Sequence, residues 1–252
     1  MENINNNVEV TPKVITFSSL FMESLQVCKS LFKDYTSNVL LLLILLMVPI
    51  VNLFVAPFIM FIIGRKIQGE NNPFTGSVKL YFSKFWNIVS LMFVYLGMIF
   101  WKTIIWILLP IVFWGLLKVI GVHSAIMSSI LNTLIPILII VFPLIFMLKY
   151  FCGWRFAVNV LLFEDKKNKD ALNRSWELTD NRKWDIFFYF LILGLIAVIY
   201  SVILIVTISS IFRLDSVLDK HTLSIIRSVI TSPISFIITT FFTILYFKFK
   251  NK

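Results

Sequence analysis

The sequence predicts an all-α fold: a polytopic transmembrane helix bundle of about five hydrophobic segments, accompanied by three interfacial amphipathic helices. Three observations predict it. Of the 252 residues, 59% are hydrophobic and 14% charged, whereas a soluble globular chain has about 45–50% apolar and about 25% charged residues. The apolar residues gather into runs near the ~20 residues that a spanning helix needs. The charged residues collect between those runs in stretches of helical periodicity, as in "KDALNRSWELTDNRKW", Lys169 to Trp184.

Residues 1–16 are mostly polar and form a tail expected to be disordered; residues 17–252 make a single integral membrane domain. The polar start shows no cleavable signal peptide. Phe17, Leu20, Phe21, Ser24, Leu25, Cys28, Leu31, Phe32 and Tyr35 then recur at i, i+3, i+4, i+7 spacing, with Glu23, Gln26, Lys29 and Lys33 opposite. That pattern is an amphipathic helix. It opens into the first oily run, Val39 to Ile63.

A second amphipathic stretch follows, with Phe74, Val78, Tyr81, Phe82 and Phe85 on its apolar side and Ser77, Lys79 and Lys84 opposite. It leads into an apolar run over Asn87–Leu117, and another run lies over Ile130–Leu148. The third amphipathic helix carries Ala171, Leu172, Ser175, Trp176, Leu178 and Thr179 on its milder side. Two long spans close the chain, Ile186–Phe212 and Val229–Phe247, joined by a predicted loop over 213–228 and followed by a basic tail. The first and third amphipathic helices echo each other: Glu23-Ser24-Leu25-Gln26 aligns with Asp170-Ala171-Leu172-Asn173, Cys28 with Ser175, and Leu31 with Leu178. The echo fits an internal repeat, and equally two ordinary helices leading into a membrane.

Charge sets the expected topology. The net charge is +10; in a multi-pass protein such an excess of Lys and Arg marks the cytoplasmic face and its anionic lipids, not nucleic acid. If Val39–Ile63 crosses, Lys and Arg divide 15 against 7 between the two sides. If it re-enters and returns, they divide 18 against 4, with Lys102 left inside a span. Pro49, Asn52 and Pro57 supply the breakers that a reversal needs. A run of 25 residues also suits one tilted span, so both readings stand. In either case the localisation expected is the cell membrane, multi-pass, with the C-terminus and the amphipathic helices cytoplasmic.

The chemistry-bearing residues are sparse. Cys28 and Cys152 have no metal or redox spacing, and His123 and His221 fall in predicted loops. No protease, hydrolase or nucleotide-binding motif is present. The sequence therefore predicts no enzyme, no cofactor and no metal site. Ionisable groups in lipid are the suspects that remain. Lys102 lies about 22 Å along its helix from Asn87, where it either snorkels to the far interface or meets a structural partner. Arg155 and Glu164 flank the fourth segment; they serve as structural ion pairs, Glu164 with the third amphipathic helix, or as lipid or partner contacts. Arg174 can pair with Glu177 along that helix. Arg182 and Lys183 form a basic edge beside Trp176 and Trp184, whose indoles suit a membrane boundary. These eight residues are the candidate contacts to anionic headgroups or to a membrane-protein partner such as an exporter.

Two stretches carry a family resemblance. "LLFEDKKNKDALNRSWELTDNRKWDIF", Leu161 to Phe187, resembles a block with Glu164, Ala171, Leu172, Arg174, Ser175, Trp176, Leu178, Thr179 and Trp184 in step. The block belongs to a broad family of uncharacterised prokaryotic multi-pass membrane proteins, related to the membrane domain of some glycerophosphodiester phosphodiesterases. "VPIVNLFVAPFIMFIIGRKIQGENNPF", Val48 to Phe74, is similar to the N-terminal part of related proteins. The resemblance implies a membrane fold and transfers no catalytic residue. The function expected is that of a non-enzymatic, lipid-interacting protein of the cytoplasmic membrane. Its role would lie in membrane homeostasis, in protection against membrane-active peptides, or as a subunit of a membrane complex; the rival is a small permease or flippase-like transporter.

Overall fold

A computed structural model describes residues 15–119, 137, 140–141, 143–212 and 220–251, and all of their regular structure is helical. The expectations for residues 1–14, for His123, for most of Ile130–Phe142 and for 213–219 concern residues outside those described. Helix α1 (Phe17–Asp34) starts on Thr16, whose side chain accepts the Ser19 N–H. Its apolar stripe of Leu20, Ser24, Cys28 and Leu31 is buried, and it faces protein: the Cys28 thiol donates to the Thr240 hydroxyl at 3.4 Å, and Lys248 pairs with Glu23 at 2.6 Å. Burial raises the Cys28 thiol above its ordinary pKa.

The first oily run turns back. Helix α2 (Thr36–Leu46) stops at Met47, Val48 is extended, and α3 (Pro49–Ile67) begins with proline at its first turn. The residue before a proline is pushed out of the helical region, and proline itself suits a helix start. The two limbs pack together, and their open ends meet: Lys66 reaches Asp34 at 3.3 Å, Tyr35 donates to the Asn71 carbonyl, and the Tyr35 and Phe74 rings lie 5.1 Å apart. With 11 residues, α2 is about 16 Å long, roughly half the hydrocarbon thickness. The run is a helical hairpin.

Arg65 ties the hairpin to the next helix. Its guanidinium donates to the carbonyls of Pro73 and Thr75 at 3.1 and 2.9 Å and to the Ser77 hydroxyl, and it pairs with Glu70. The second amphipathic stretch is no separate helix: it is the first part of α4 (Ser77–Val119). Its protein-facing line is Ser77, Tyr81 and Ile88, whereas Val78, Phe82 and Trp86 are exposed. The apolar side expected of this stretch is thus divided, Tyr81 packing into the protein while Val78 and Phe82 stay exposed. Tyr81 selects that side because its hydroxyl donates to the Phe54 carbonyl at 2.7 Å.

The remaining helices are α5 (143–153), α6 (Ala157–Glu164), α7 (Asn168–Leu178), α8 (Lys183–Phe212) and α9 (Lys220–Lys250). Because α9 begins at Lys220, His221 sits in its first turn, which corrects the loop predicted over 213–228; "KHTLSIIRS" holds no glycine or proline to stop a helix. Among the described residues, four stretches are long and apolar enough to cross a membrane: Ser77–Phe113, Pro143–Glu164, Lys183–Thr207 and Thr231–Lys250. The protein is an all-α polytopic membrane protein whose described residues hold these four spans and one hairpin. Its core lies at one end, where α1, the hairpin, α6 and α7 gather around the C-terminal half of α9.

Candidate functional site

Gly153 lies where the second span, Pro143–Glu164, breaks. Its helix gives way to a turn over 154–156 before α6 resumes. The Arg155 N–H bonds to Cys152 O at 3.4 Å and Ala157 to Trp154 O at 3.1 Å. The Gly153 carbonyl and the Phe156 N–H are therefore left without helical partners, a costly state for buried backbone. Helix α7 supplies both partners. The Ser175 hydroxyl donates to Gly153 O and accepts from the Phe156 N–H, each at 3.0 Å, and Thr179 donates to Gly153 O at 3.1 Å. A side chain at Gly153 is impossible because an added Cβ would lie 2.3 Å from the Trp176 ring. The Ser-Trp-x-x-Thr sequence is thus a clasp on a broken span.

Glu164, at the other end of α6, fastens the same joint. It accepts from Arg174 Nε at 3.2 Å and from the Tyr246 hydroxyl at 2.9 Å, joining α6, α7 and α9. Arg174 also bonds Glu177 at 3.1 Å, and these partners hold its pKa above the ordinary value, the Glu177 bond most of all. Lys84 of α4 completes the joint, reaching Asp165 at 2.6 Å and Leu162 O at 2.7 Å. The third amphipathic helix accordingly turns its apolar side, Ala171, Leu172 and Ser175, into the protein and not into the headgroups.

Seven of the eight predicted contact residues meet at this end. Arg155 does not pair with Glu164: its guanidinium stacks 4.2 Å above the Phe242 ring, and its Nε is closed off without a hydrogen-bond partner. Arg182 lies 4.7 Å above Phe249. Lys183 sits 3.9 Å above the Trp176 ring and 3.0 Å from Asp180, whose carboxyl is thereby held below the usual range. Trp184 is 73% exposed. Lys102 stands apart. Ser90 of α4 donates to Asn168 at 2.9 Å at this end, and Lys102, exposed, lies 12 residues further on, about 18 Å along the helix.

A groove opens beside the clasp. Ile145, Leu148, Lys149 and Cys152, one face of α5 at i, i+3, i+4, i+7 spacing, form one wall. Lys183, Trp184 and Phe187 at the start of α8 form the other, and the space between them is about 330 Å³. The two helices stay together through Phe151 and Phe190, whose rings lie 5.2 Å apart. Sequence reading missed Lys149 and Cys152 because their shared face appears only once the break at Gly153 fixes where α5 ends. It also missed Asn159, buried in α6 with neither amide atom bonded. Among the described residues no group of three or more His, Cys, Asp or Glu could hold a metal. Aromatic stacking, ion pairs and an apolar slot rimmed by lysines can hold an amphiphile. No family model, no curated protein and no solved structure matches this chain.

Proposed function

We propose that this protein is a non-enzymatic, lipid-interacting component of the prokaryotic cytoplasmic membrane that sets or senses lipid packing in one leaflet. The re-entrant hairpin carries this reading. Its limbs enter and leave at the compact end, so α2 and α3 add volume to the leaflet on that side and little to the other. With the hairpin returning, 18 of the Lys and Arg residues fall on the side of the compact end against 4 opposite, and an excess of basic residues favours the cytoplasm. Orientation toward anionic lipid follows from the same charges, each worth about 1 kcal/mol near such a surface. A relation to the membrane domain of glycerophosphodiester phosphodiesterases belongs to this proposal and rests on the clasp residues of α7 and on the hairpin sequence. A role in membrane homeostasis is the simplest use of such a body.

Reconstitution tests it. Protein supplied to mixed small and large vesicles should concentrate, per lipid, in the small ones with its compact end outward, and its melting temperature should rise with anionic lipid and with no soluble solute. Equal density in both vesicle sizes, or coupled uptake of a solute, would overturn the reading.

A further inference from the structure

We propose that the groove between α5 and the start of α8 binds one anionic phospholipid. An acyl chain would lie against Leu148, Cys152 and Phe187, and the phosphate would sit at Lys149 and Lys183. The proposal rests on the lipid-interacting reading above and gives it a place and a headgroup charge.

The walls are apolar apart from the two lysines. A space of about 330 Å³ is at the small end of ligand pockets, which run from about 300 to about 1,000 Å³. It therefore accepts one chain of a two-chain lipid and leaves the other in the bilayer. The lysines differ in how they are held. Lys183 is fixed by Asp180 and by the Trp176 ring, and an ammonium with three donors still has capacity for a phosphate oxygen. Lys149 is exposed and no described acid pairs with it, so its charge is uncompensated beside an apolar slot. Basic pockets between spanning helices on the cytoplasmic side are where acidic lipid headgroups bind. The exposed indole of Trp184 marks the level of the mouth, because that ring favours the boundary between hydrocarbon and water. A sugar or a peptide would leave the apolar walls unfilled, and a zwitterionic lipid brings no net charge for Lys149.

Two reporters are built in: Trp184 at the rim and the Cys152 thiol in the wall. The full chain is reconstituted with phosphatidylglycerol or phosphatidylcholine carrying brominated acyl chains, and the Trp184 signal is taken as wild type minus Trp184→Phe. Brominated phosphatidylglycerol should quench that signal at a lower mole fraction than brominated phosphatidylcholine. Lys149→Gln should raise the half-quenching fraction of the anionic lipid about fivefold, which is what about 1 kcal/mol for one lysine amounts to. Lys79→Gln, an exposed lysine of α4 away from the groove, should leave it unchanged. In a Cys28→Ser background, phosphatidylglycerol should also slow alkylation of Cys152 relative to phosphatidylcholine, a measurement that needs no tryptophan variant. Equal quenching by the two lipids, equal effects of the two lysine variants, or alkylation indifferent to headgroup would each overturn the proposal. Loss of the groove signal with vesicle-size preference intact sinks only the groove; the converse sinks only the packing function.

Discussion

Helices α8 and α9 are both long enough to span a bilayer, and they do opposite things. The span of α8 has mean hydropathy 2.9 and is 6% buried by protein; that of α9 has mean hydropathy 1.4 and is 67% buried. The oilier helix is the bare one. In water the order would be reversed, because apolar surface is driven inside. In a bilayer the tails solvate leucine as well as protein does, so helices associate through packing and polar contacts. Helix α9 shows what that demands: Ser232, Thr239, Thr240 and Thr243 are buried along it. Thr240 and Thr243 return their hydroxyls to the carbonyls of Phe236 and Thr239 at 2.9 and 2.8 Å, so small polar side chains enter the core without stranding a donor. On α8, Ile186 and Leu193 are buried near the start, and from Leu195 to Val206 the large apolar residues other than half-buried Leu204 are exposed. On α4 full burial ends at Leu91, a half-buried line from Met92 to Ile99 still packs on the core, and Phe100 and Trp101 are exposed. The molecule is a packed end with two bare rods leaving it.

The packed end can be broken at single positions that have no counterpart on the rods. Gly153→Ala should be the most damaging, since the new Cβ meets the Trp176 ring; a loss of about 3 kcal/mol is expected from such overpacking, measured as thermal unfolding in detergent. Gly194→Ala on α8, where nothing lies within 4 Å of the added carbon, should change little. Leu172→Ala should cost about 3 kcal/mol as a buried Leu→Ala change, while Leu195→Ala should be near neutral; similar losses at both sites would refute the contrast. Ser175→Ala strands the Phe156 N–H and weakens the hold on Gly153 O, a loss of about 2 kcal/mol, whereas Ser201→Ala, whose hydroxyl only returns to Ala197 O, should be within error. The smallest effect is at Asp180. Its carboxyl is held low by the Lys183 hydrogen bond, so its contribution is present above the unfolded carboxylate pKa and fades as pH falls through the lower folded value. Asp180→Asn should therefore shift the melting temperature marginally at neutral pH and not at all in strong acid.

The contrast also explains what could be read from the sequence. The amphipathic period of α1 was legible because its polar residues alternate with a buried stripe, and the hairpin was legible as one of two readings from Pro49, Pro57 and the division of charge. That the two limbs pack side by side depends on Asp34 and Lys66, and Tyr35 and Asn71, meeting across the open end, a tertiary fact. The apolar side of early α4 was legible, but not that Tyr81 would pack inward while Val78 and Phe82 face outward; apolar pattern does not tell lipid from protein interior. The clasp was hidden for another reason: Ser175 and Thr179 read only as part of a milder apolar side until the break at Gly153 shows what they satisfy. Repeat-related positions agree in burial, Ser24 with Ala171 and Cys28 with Ser175, yet α1 leads into a hairpin and α7 into a full span. Local pattern set the amphipathic helix, and the proline after Val48 set what followed it.

The central claim is that the packed end, hairpin included, lies on one side of the membrane. Single cysteines at Gln26, Val48, Glu70 and Asn181, in a chain with Cys28 and Cys152 replaced by serine, test it in oriented membranes with an impermeant maleimide. Positions 26, 70 and 181 should label together from the same side, and position 48, at the tip of the hairpin, from neither. Labelling of position 70 from the side opposite to position 26 would make Val39–Ile63 a crossing helix and contradict the account.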